Sequence, residues 1–314
     1  MNVIVTTTIN SPTQSTIEFA KQNLPFIIVG DTKTPHEEYR KLQKQYENIV
    51  YLEPSEQEQL YPALSKILGW KTIQRRNIGF LYAFHLGANI CISVDDDNQI
   101  CSENWGKNLL LLKEIDCLTV ECNYESFDPL TFIGGDYQPF WSRGYPVELV
   151  RHKSTQVKNI ARKTHTFDLQ ADLWYNSIDC DAICRILYGD KAYSCNENLF
   201  PFTSDKLQPI NSQNTFITRK ALPYYFMFPF VGRMDDLYGA YYCQAYGFKG
   251  VYNKPTVNQY RNEHNTVKDM EKELHGYQNL YQIIINLYKD PESIWQFVPE
   301  NTKEAYFTYK NYFH

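Results

Sequence analysis

The run Asn89-Ile90-Cys91-Ile92-Ser93-Val94 is apolar and β-prone, and it stops in three consecutive carboxylates, Asp95, Asp96 and Asp97, before Asn98. A short apolar run of this kind reads as a buried strand, and charges this dense cannot follow it into a core unpaired. The strand therefore ends at a polar edge. In extended chain alternate side chains share a face, so Asp95 and Asp97 point to one side and Asp96 to the other. An Asp-x-Asp pair leaving a strand end suits a hard cation, Mg²⁺ or Mn²⁺, which takes carboxylate and phosphate oxygens together. A solvated acidic turn is the plainer alternative.

The stretches before it predict the setting of that strand. Asn2 to Thr7 is a β-branched run that breaks into a small polar loop, Thr13 to Gln22 has helical spacing, and Pro25 to Asp31 is a second apolar strand ending in Gly30-Asp31. Strand, helix, strand predicts a parallel pair with ligands beyond the carboxyl ends. Thr6, Thr7 and Asp31 fall on that edge, where Asp31 either accepts from a base or ribose or is a turn residue. Pro35 to Gln45 is helix-prone, and Asn48 to Leu52 reads as a third strand. Ile78, Leu81, Tyr82 and Leu86 form a helical stripe ending at Gly87, which puts Arg75 and Arg76 near the helix start. Cations there oppose the helix dipole, a cost that makes sense where they face an anion such as a pyrophosphate. Beyond the acidic turn, Trp105 to Lys113 reads as a helix and Cys117 to Cys122 as a strand. The expected class is α/β, with loops converging on Asp95 to Asp97.

At 314 residues the chain can bury a large core, and it shows no internal repeat or low-complexity linker. A formal net charge of −5, with no basic tract or zinc-ligand spacing, argues against nucleic acid as a partner. The eight cysteines contain no Cys-x-x-Cys pair and read as small buried residues of a reducing compartment. The chain opens directly in a strand with no signal-peptide pattern, and no apolar stretch approaches the roughly 20 residues of a membrane span. A cytoplasmic protein is the expectation. The 25 tyrosines and 18 phenylalanines suit hydroxyl-rich or planar ligands, and equally an aromatic core.

The second half adds an arginine in an aromatic loop, Phe140-Trp141-Ser142-Arg143-Gly144-Tyr145-Pro146, and the acid-punctuated stretch Leu173-Trp174 through Asp179-Cys180-Asp181-Ala182. Gly232-Arg233-Met234-Asp235-Asp236 places two carboxylates at a helix start, where the dipole favours them. Taken with Asp95-Asp96-Asp97 and in this order, these motifs resemble the reversibly glycosylated polypeptides, the plant UDP-arabinopyranose mutases. The opening, Thr7-Thr8-Ile9-Asn10 with Pro12-Thr13 and then Val29-Gly30-Asp31, is similar to the related STELLO-type glycosyltransferase-like proteins. So are Pro209 to Thr215 and Val257 to Asn265. The likeness runs from the N-terminus to about Asn265.

That resemblance implies a GT-A-like, Rossmann-like fold with a mixed, mainly parallel sheet flanked by helices, forming a nucleotide-sugar-binding catalytic domain over residues 1–265. Residues 266–314 would be a helical, Tyr-rich extension that packs on it or on a partner and permits a homo-oligomer. It implies a UDP- or GDP-sugar as substrate and Mn²⁺ or Mg²⁺ as cofactor, bound through Asp95 and Asp97 with His264 as a last metal ligand. Nucleotide contacts would come from Thr6, Thr7, Asp31, Arg76, Asp95 and Asp96. Arg143 matches the arginine that becomes glycosylated in the mutases, and Asp235 and Asp236 match the acidic position facing the sugar. The expected activity is a mutase interconverting pyranose and furanose forms. The alternatives are a glycosyltransferase that passes the sugar to an acceptor, and a non-catalytic nucleotide-sugar scaffold. Arg143 is expected to be catalytic in one of two roles: the resemblance favours a nucleophile, while side-chain chemistry favours a phosphate clamp, because a guanidinium stays protonated in nearly every setting.

Overall fold

The computed structural model describes residues 1–134, 139–189, 195–260 and 265–314. Eleven strands form its sheet: β1 Asn2–Thr8, β2 Phe26–Gly30, β3 Ile49–Leu52, β4 Ile90–Val94, β5 Asn98–Ile100, β6 Glu114–Cys122, β7 Val157–Thr166, β8 Leu169–Asn176, β9 Phe202–Ser204, β10 Asn214–Thr218 and β11 Gly250–Gln259. The helices are α1 Gln14–Ala20, α2 His36–Gln45, α3 Pro54–Leu60, α4 Pro62–Leu68, α5 Arg76–His85, α6 Pro129–Gly134, α7 Ala182–Tyr188, α8 Asp235–Ala245, α9 Thr266–Leu287 and α10 Glu300–Asn311. The strand order is β3-β2-β1-β4-β10-β8-β11-β9-β6-β7, with β5 paired to β11.

The first four strands of that order are parallel, with helices in the crossovers, as the strand-helix-strand reading expects. Every residue of β2 and β4 is buried, which is why both read as unbroken apolar runs rather than as alternating ones. Each such valine or isoleucine contributes about 1.5–3 kcal/mol of burial. Helix α5 lies close on β1 and β2 because Gly79 has no side chain; a Cβ there would come within 2.4 Å of Val5 Cγ1 and 2.9 Å of Val29 Cγ2. Gly87, at φ +82°, ends that helix as expected.

Past β4 the directions alternate. Strand β10 runs antiparallel to both β4 and β8, while β11 is parallel to β8. Strands β1, β4, β8 and β11 therefore all end at one edge, and β10 begins there, bringing Asn211, Ser212 and Gln213 to the same place. Strand β5 begins there too, its first residue Asn98 paired with Gln259 at the end of β11. The result is an α/β sheet, flanked by helices, whose parallel half meets a mixed half.

The segment Trp105 to Lys113, expected to be helical, is a series of turns. Gly106 and Leu112 take positive φ of +71° and +62°. The backbone groups that a helix would use are instead taken by Gln170, whose amide accepts from Leu110 N–H and donates to the Asn108 carbonyl. Trp105 is buried, and its indole N–H donates to Asn214 Oδ1 at 3.0 Å. All eight cysteines are free thiols, six of them buried.

At the C-terminus α9 lies across the start of α8 and the Arg143 loop. Tyr277 from α9 accepts from Gly144 N–H at 2.9 Å and donates to Asp181 at 3.0 Å. Tyr238 in turn donates to the Gly276 carbonyl, where α9 has no side chain. Helix α10 inserts Tyr306 and Tyr309 into an aromatic cluster with Phe226, Tyr242 and Trp295. Among the described residues no helix is long and apolar enough to cross a membrane.

Candidate functional site

The shared strand edge opens into a cleft of about 500 Å³. One wall is the turn after β4. Asp95 N–H donates to the Gln213 carbonyl at 3.1 Å, which ties this turn to the lead-in of β10. Asp95 and Asp97 both face the cleft, although Asp96 and Asp97 form a turn rather than extended chain. Asp96 turns the other way, accepting from Thr8 Oγ1 and from Asn10 Nδ2 at 3.1 Å. It serves the loop after β1, and this corrects the expectation that it sits with the nucleotide contacts.

Arg75 and Arg76 are both 1 % exposed, and neither meets an open anion site. Arg75 stacks on Trp70 and donates to Gln57, Ser65 and the Gly69 carbonyl. Arg76 runs beneath the cleft floor, donating to Asp95 Oδ1 at 2.7 Å, to the carbonyl and hydroxyl of Ser212 at 3.0 and 3.1 Å, and to Thr7 Oγ1 at 3.4 Å. Its position near the helix start is explained by these partners. It holds Asp95 in place from behind, rather than reaching a diphosphate as the helix position had suggested. Thr6 donates to the Val94 carbonyl inside the sheet. Asp31 is 4 % exposed and accepts from the N–H groups of Thr32, Lys71 and Thr72. It fastens the loop that carries Lys71 to the cleft rim, instead of standing free for a base.

The opposite wall is built around Arg143. Its guanidinium donates to both oxygens of Asp179 at 3.0–3.2 Å and to both oxygens of Asp236 at 3.1 and 3.2 Å, and it reaches the Arg233 carbonyl. Asp179 also accepts from Asn211 Nδ2, and Asp236 from Ser212 N–H. The β10 lead-in thus braces both carboxylates. Burial opposes the charge on Arg143, but Asp179 and Asp236 hold its pKa well above the usual value. Burial likewise disfavours the Asp179 carboxylate, and the guanidinium beside it more than compensates, lowering its pKa.

Asp235 faces the cleft from the first turn of α8, and one of its oxygens accepts from Gln74 Nε2 at 2.6 Å. Burial, together with neighbouring Asp236, pushes its carboxyl up to about 7. A carboxyl poised there can take a proton from a hydroxyl near neutral pH. Lys71 and Lys272 stand exposed at the rim, while Arg233 is paired to Glu273 at 2.9 Å.

One cleft therefore gathers Asp95, Asp97, Arg143, Asp235 and Asp236, together with Asp179, Ser212 and Gln259. Asp179 carried a sequence signal, being one of the carboxylates that interrupt an apolar stretch. Ser212 and Gln259 lay within the stretches Pro209 to Thr215 and Val257 to Asn265 that carry the resemblance, but nothing in the sequence gave either residue a role of its own. His264, expected as a metal ligand, lies outside the described residues.

The acidic turn fits a divalent cation. Asp97 Oδ1 is buried without a hydrogen-bond partner. Burial, with Asp95 and Asp96 alongside, raises its carboxyl to about 7. Burial also raises Asp95, in spite of Arg76. Two carboxylates crowded and desolvated in this way are what a bound cation relieves. Among the described residues no group of three or more His, Cys, Asp or Glu side chains could hold a metal, so acidic ligands from them number at most two.

No family model matches this chain, and no curated protein matches it. Several solved structures are similar to it, two of them as follows. One is a mycobacterial protein, 11 % identical, with a TM-score of 0.43 over 93 % of this chain and 74 % of that one. The other is glucosyl-3-phosphoglycerate synthase from Mycobacterium tuberculosis in complex with phosphoglyceric acid, 10 % identical, with a TM-score of 0.41 over 93 % of this chain and 79 % of that one. At these scores neither likeness adds to the topology described above.

Proposed function

We propose that this chain is a metal-dependent glycosyltransferase that passes the sugar of a nucleotide-sugar to an acceptor hydroxyl. The observation that carries this reading is the placement of Asp235, a buried carboxyl with a pKa of about 7, across one cleft from the cation-ready pair Asp95 and Asp97. A cation at Asp95 and Asp97, when bound, would neutralise charge on the departing diphosphate. Lys71 and Lys272 at the rim supply further positive charge toward its phosphate oxygens. Asp235, oriented by Gln74, takes the acceptor's hydroxyl proton as the new oxygen–carbon bond forms and the bond from the anomeric carbon to the phosphate oxygen breaks. Arg143, clamped by Asp179 and Asp236, fixes the wall against which the sugar packs. Its raised pKa weighs against a nucleophilic guanidine.

A second reading is the pyranose–furanose mutase. It is favoured by the Arg143 loop lying in the same cleft as Asp95 and Asp97, the placement that the resemblance to the UDP-arabinopyranose mutases requires. In that case the freed sugar recloses through a different hydroxyl, and the diphosphate recaptures it.

Acceptor-free incubation with Mn²⁺ and a panel of UDP- and GDP-sugars, read by NMR of the anomeric region, separates the two. The transferase reading expects intact nucleotide-sugar until sugar acceptors are added, and then release of nucleoside diphosphate that Asp235→Asn abolishes. A furanose signal without acceptor would replace it by the mutase. A panel in which nothing binds would end both.

A further inference from the structure

We infer that Gln259 is a ligand of the cation held at Asp95 and Asp97, its amide oxygen completing the protein's share of the coordination sphere; the inference rests on the metal reading above. Gln259 is the last residue of β11, 2 % exposed, and it lines the cleft. Its Oε1 is buried and has no hydrogen-bond partner. A buried acceptor left bare loses the hydrogen bonds it would make with water, so such an oxygen in a cleft wall marks the place of a group that is to be bound.

The sheet register says what that group is. Strands β5 and β11 are antiparallel, with Gln259 opposite Asn98. Asp97 is the residue before Asn98, so the pairing sets Gln259 beside the acidic turn. Its bare oxygen joins a second one on the same wall, Asp97 Oδ1. A donor hydroxyl would satisfy the amide but leave the crowded Asp95 and Asp97 charges unneutralised. A divalent cation satisfies all three groups at once. Two carboxylates and one neutral amide oxygen form a hard, all-oxygen set whose formal charge of about −2 balances a divalent ion, and it favours Mg²⁺, Mn²⁺ or Ca²⁺ over softer metals. Because no three acidic, His or Cys side chains converge among the described residues, a third ligand from them has to be of this neutral kind.

The test is direct Mn²⁺ binding to the full chain, read by electron paramagnetic resonance of the free ion and by calorimetry, with Mn²⁺ alone and with Mn²⁺ plus UDP or GDP. Gln259→Leu should weaken binding by about tenfold or more, while circular dichroism shows a folded protein. Gln259→Glu, which keeps an oxygen in place and adds charge, should tighten it by about tenfold. Wild-type affinity in Gln259→Leu, alongside loss of binding in Asp97→Asn, would overturn the inference and leave the metal reading standing. Should Gln259→Leu not fold, an unchanged or weakened affinity in Gln259→Glu overturns it equally. A wild-type chain that binds no Mn²⁺ in any of these conditions would bring down both.

Discussion

Arg143 and Asp236 meet face to face, 93 residues apart in the chain, with two N–H groups of the guanidinium on the two carboxylate oxygens at 3.1 and 3.2 Å. Asp179 takes the remaining edge of the same guanidinium. This buried triad holds the aromatic loop, the start of α8 and the lead-in of β10 in one register, and it makes Arg143 a structural keystone of the cleft.

Arg143→Ala leaves two buried carboxylates without their cation and should cost about 3–5 kcal/mol in urea unfolding. Arg143→Lys keeps the charge but cannot bridge two carboxylates, and should cost about 2 kcal/mol. Since the guanidinium stays protonated, the intact mass of wild-type protein incubated with nucleotide-sugar and Mn²⁺ should show no sugar on Arg143. An adduct would restore its role as a nucleophile.

Asp235 gives a pH dependence of definite sign. Its folded pKa of about 7 lies above the value of about 3.9 in unfolded chain. The folded protein therefore holds an extra proton between about pH 4 and 7, and stability falls as pH rises through that window. Asp235→Asn should flatten the fall, by up to about 4 kcal/mol, in unfolding measured from pH 4 to 8. Turnover that uses Asp235 as a base should rise through pH 7 in the same interval.

Asp97→Asn should stabilise the chelator-treated protein by about 1 kcal/mol, because it removes one of two crowded, desolvated carboxylates. In wild type, Mn²⁺ should raise the melting temperature, and in Asp97→Asn it should not. A thermal shift series with and without chelator reads both effects.

Gly239 in α8 has no room for a side chain, since a Cβ would sit 2.1 Å from the Phe226 carbonyl oxygen. Gly239→Ala must push the helix off that backbone and should cost about 3 kcal/mol. Because Asp235 and Asp236 ride on the same helix, activity should fall with stability, whereas Gly247→Ala, with open space around it, should cost only the backbone strain of its φ of +89°, about 1–2 kcal/mol.

What local chemistry could decide was decided by the sequence. Apolar runs of strand length predicted β1, β2, β3 and β4, helical spacing predicted the crossover helices α1, α2 and α5, and the carboxylates after Val94 placed a polar site at a strand end, where Asp95 and Asp97 are found. Helices α3 and α4 were not predicted, since their Pro54 and Pro62 read as a loop and instead start helices. Trp105 to Lys113 shows the limit, because its helical spacing lost to hydrogen bonds with Gln170, about 60 residues away. Only the tertiary structure decided which partners the charged residues take. Arg76 reaches Ser212 across 136 residues and Gln74 reaches Asp235 across 161, and no local pattern encodes such distances. The inversion of β10 brings Ser212 and Gln213 to the cleft, and the β5–β11 register brings in Gln259. A side chain's burial and hydrogen bonds depend on what the folded chain packs against it, so the same arginine or glutamine reads alike in sequence whether it faces solvent, a substrate or its own core.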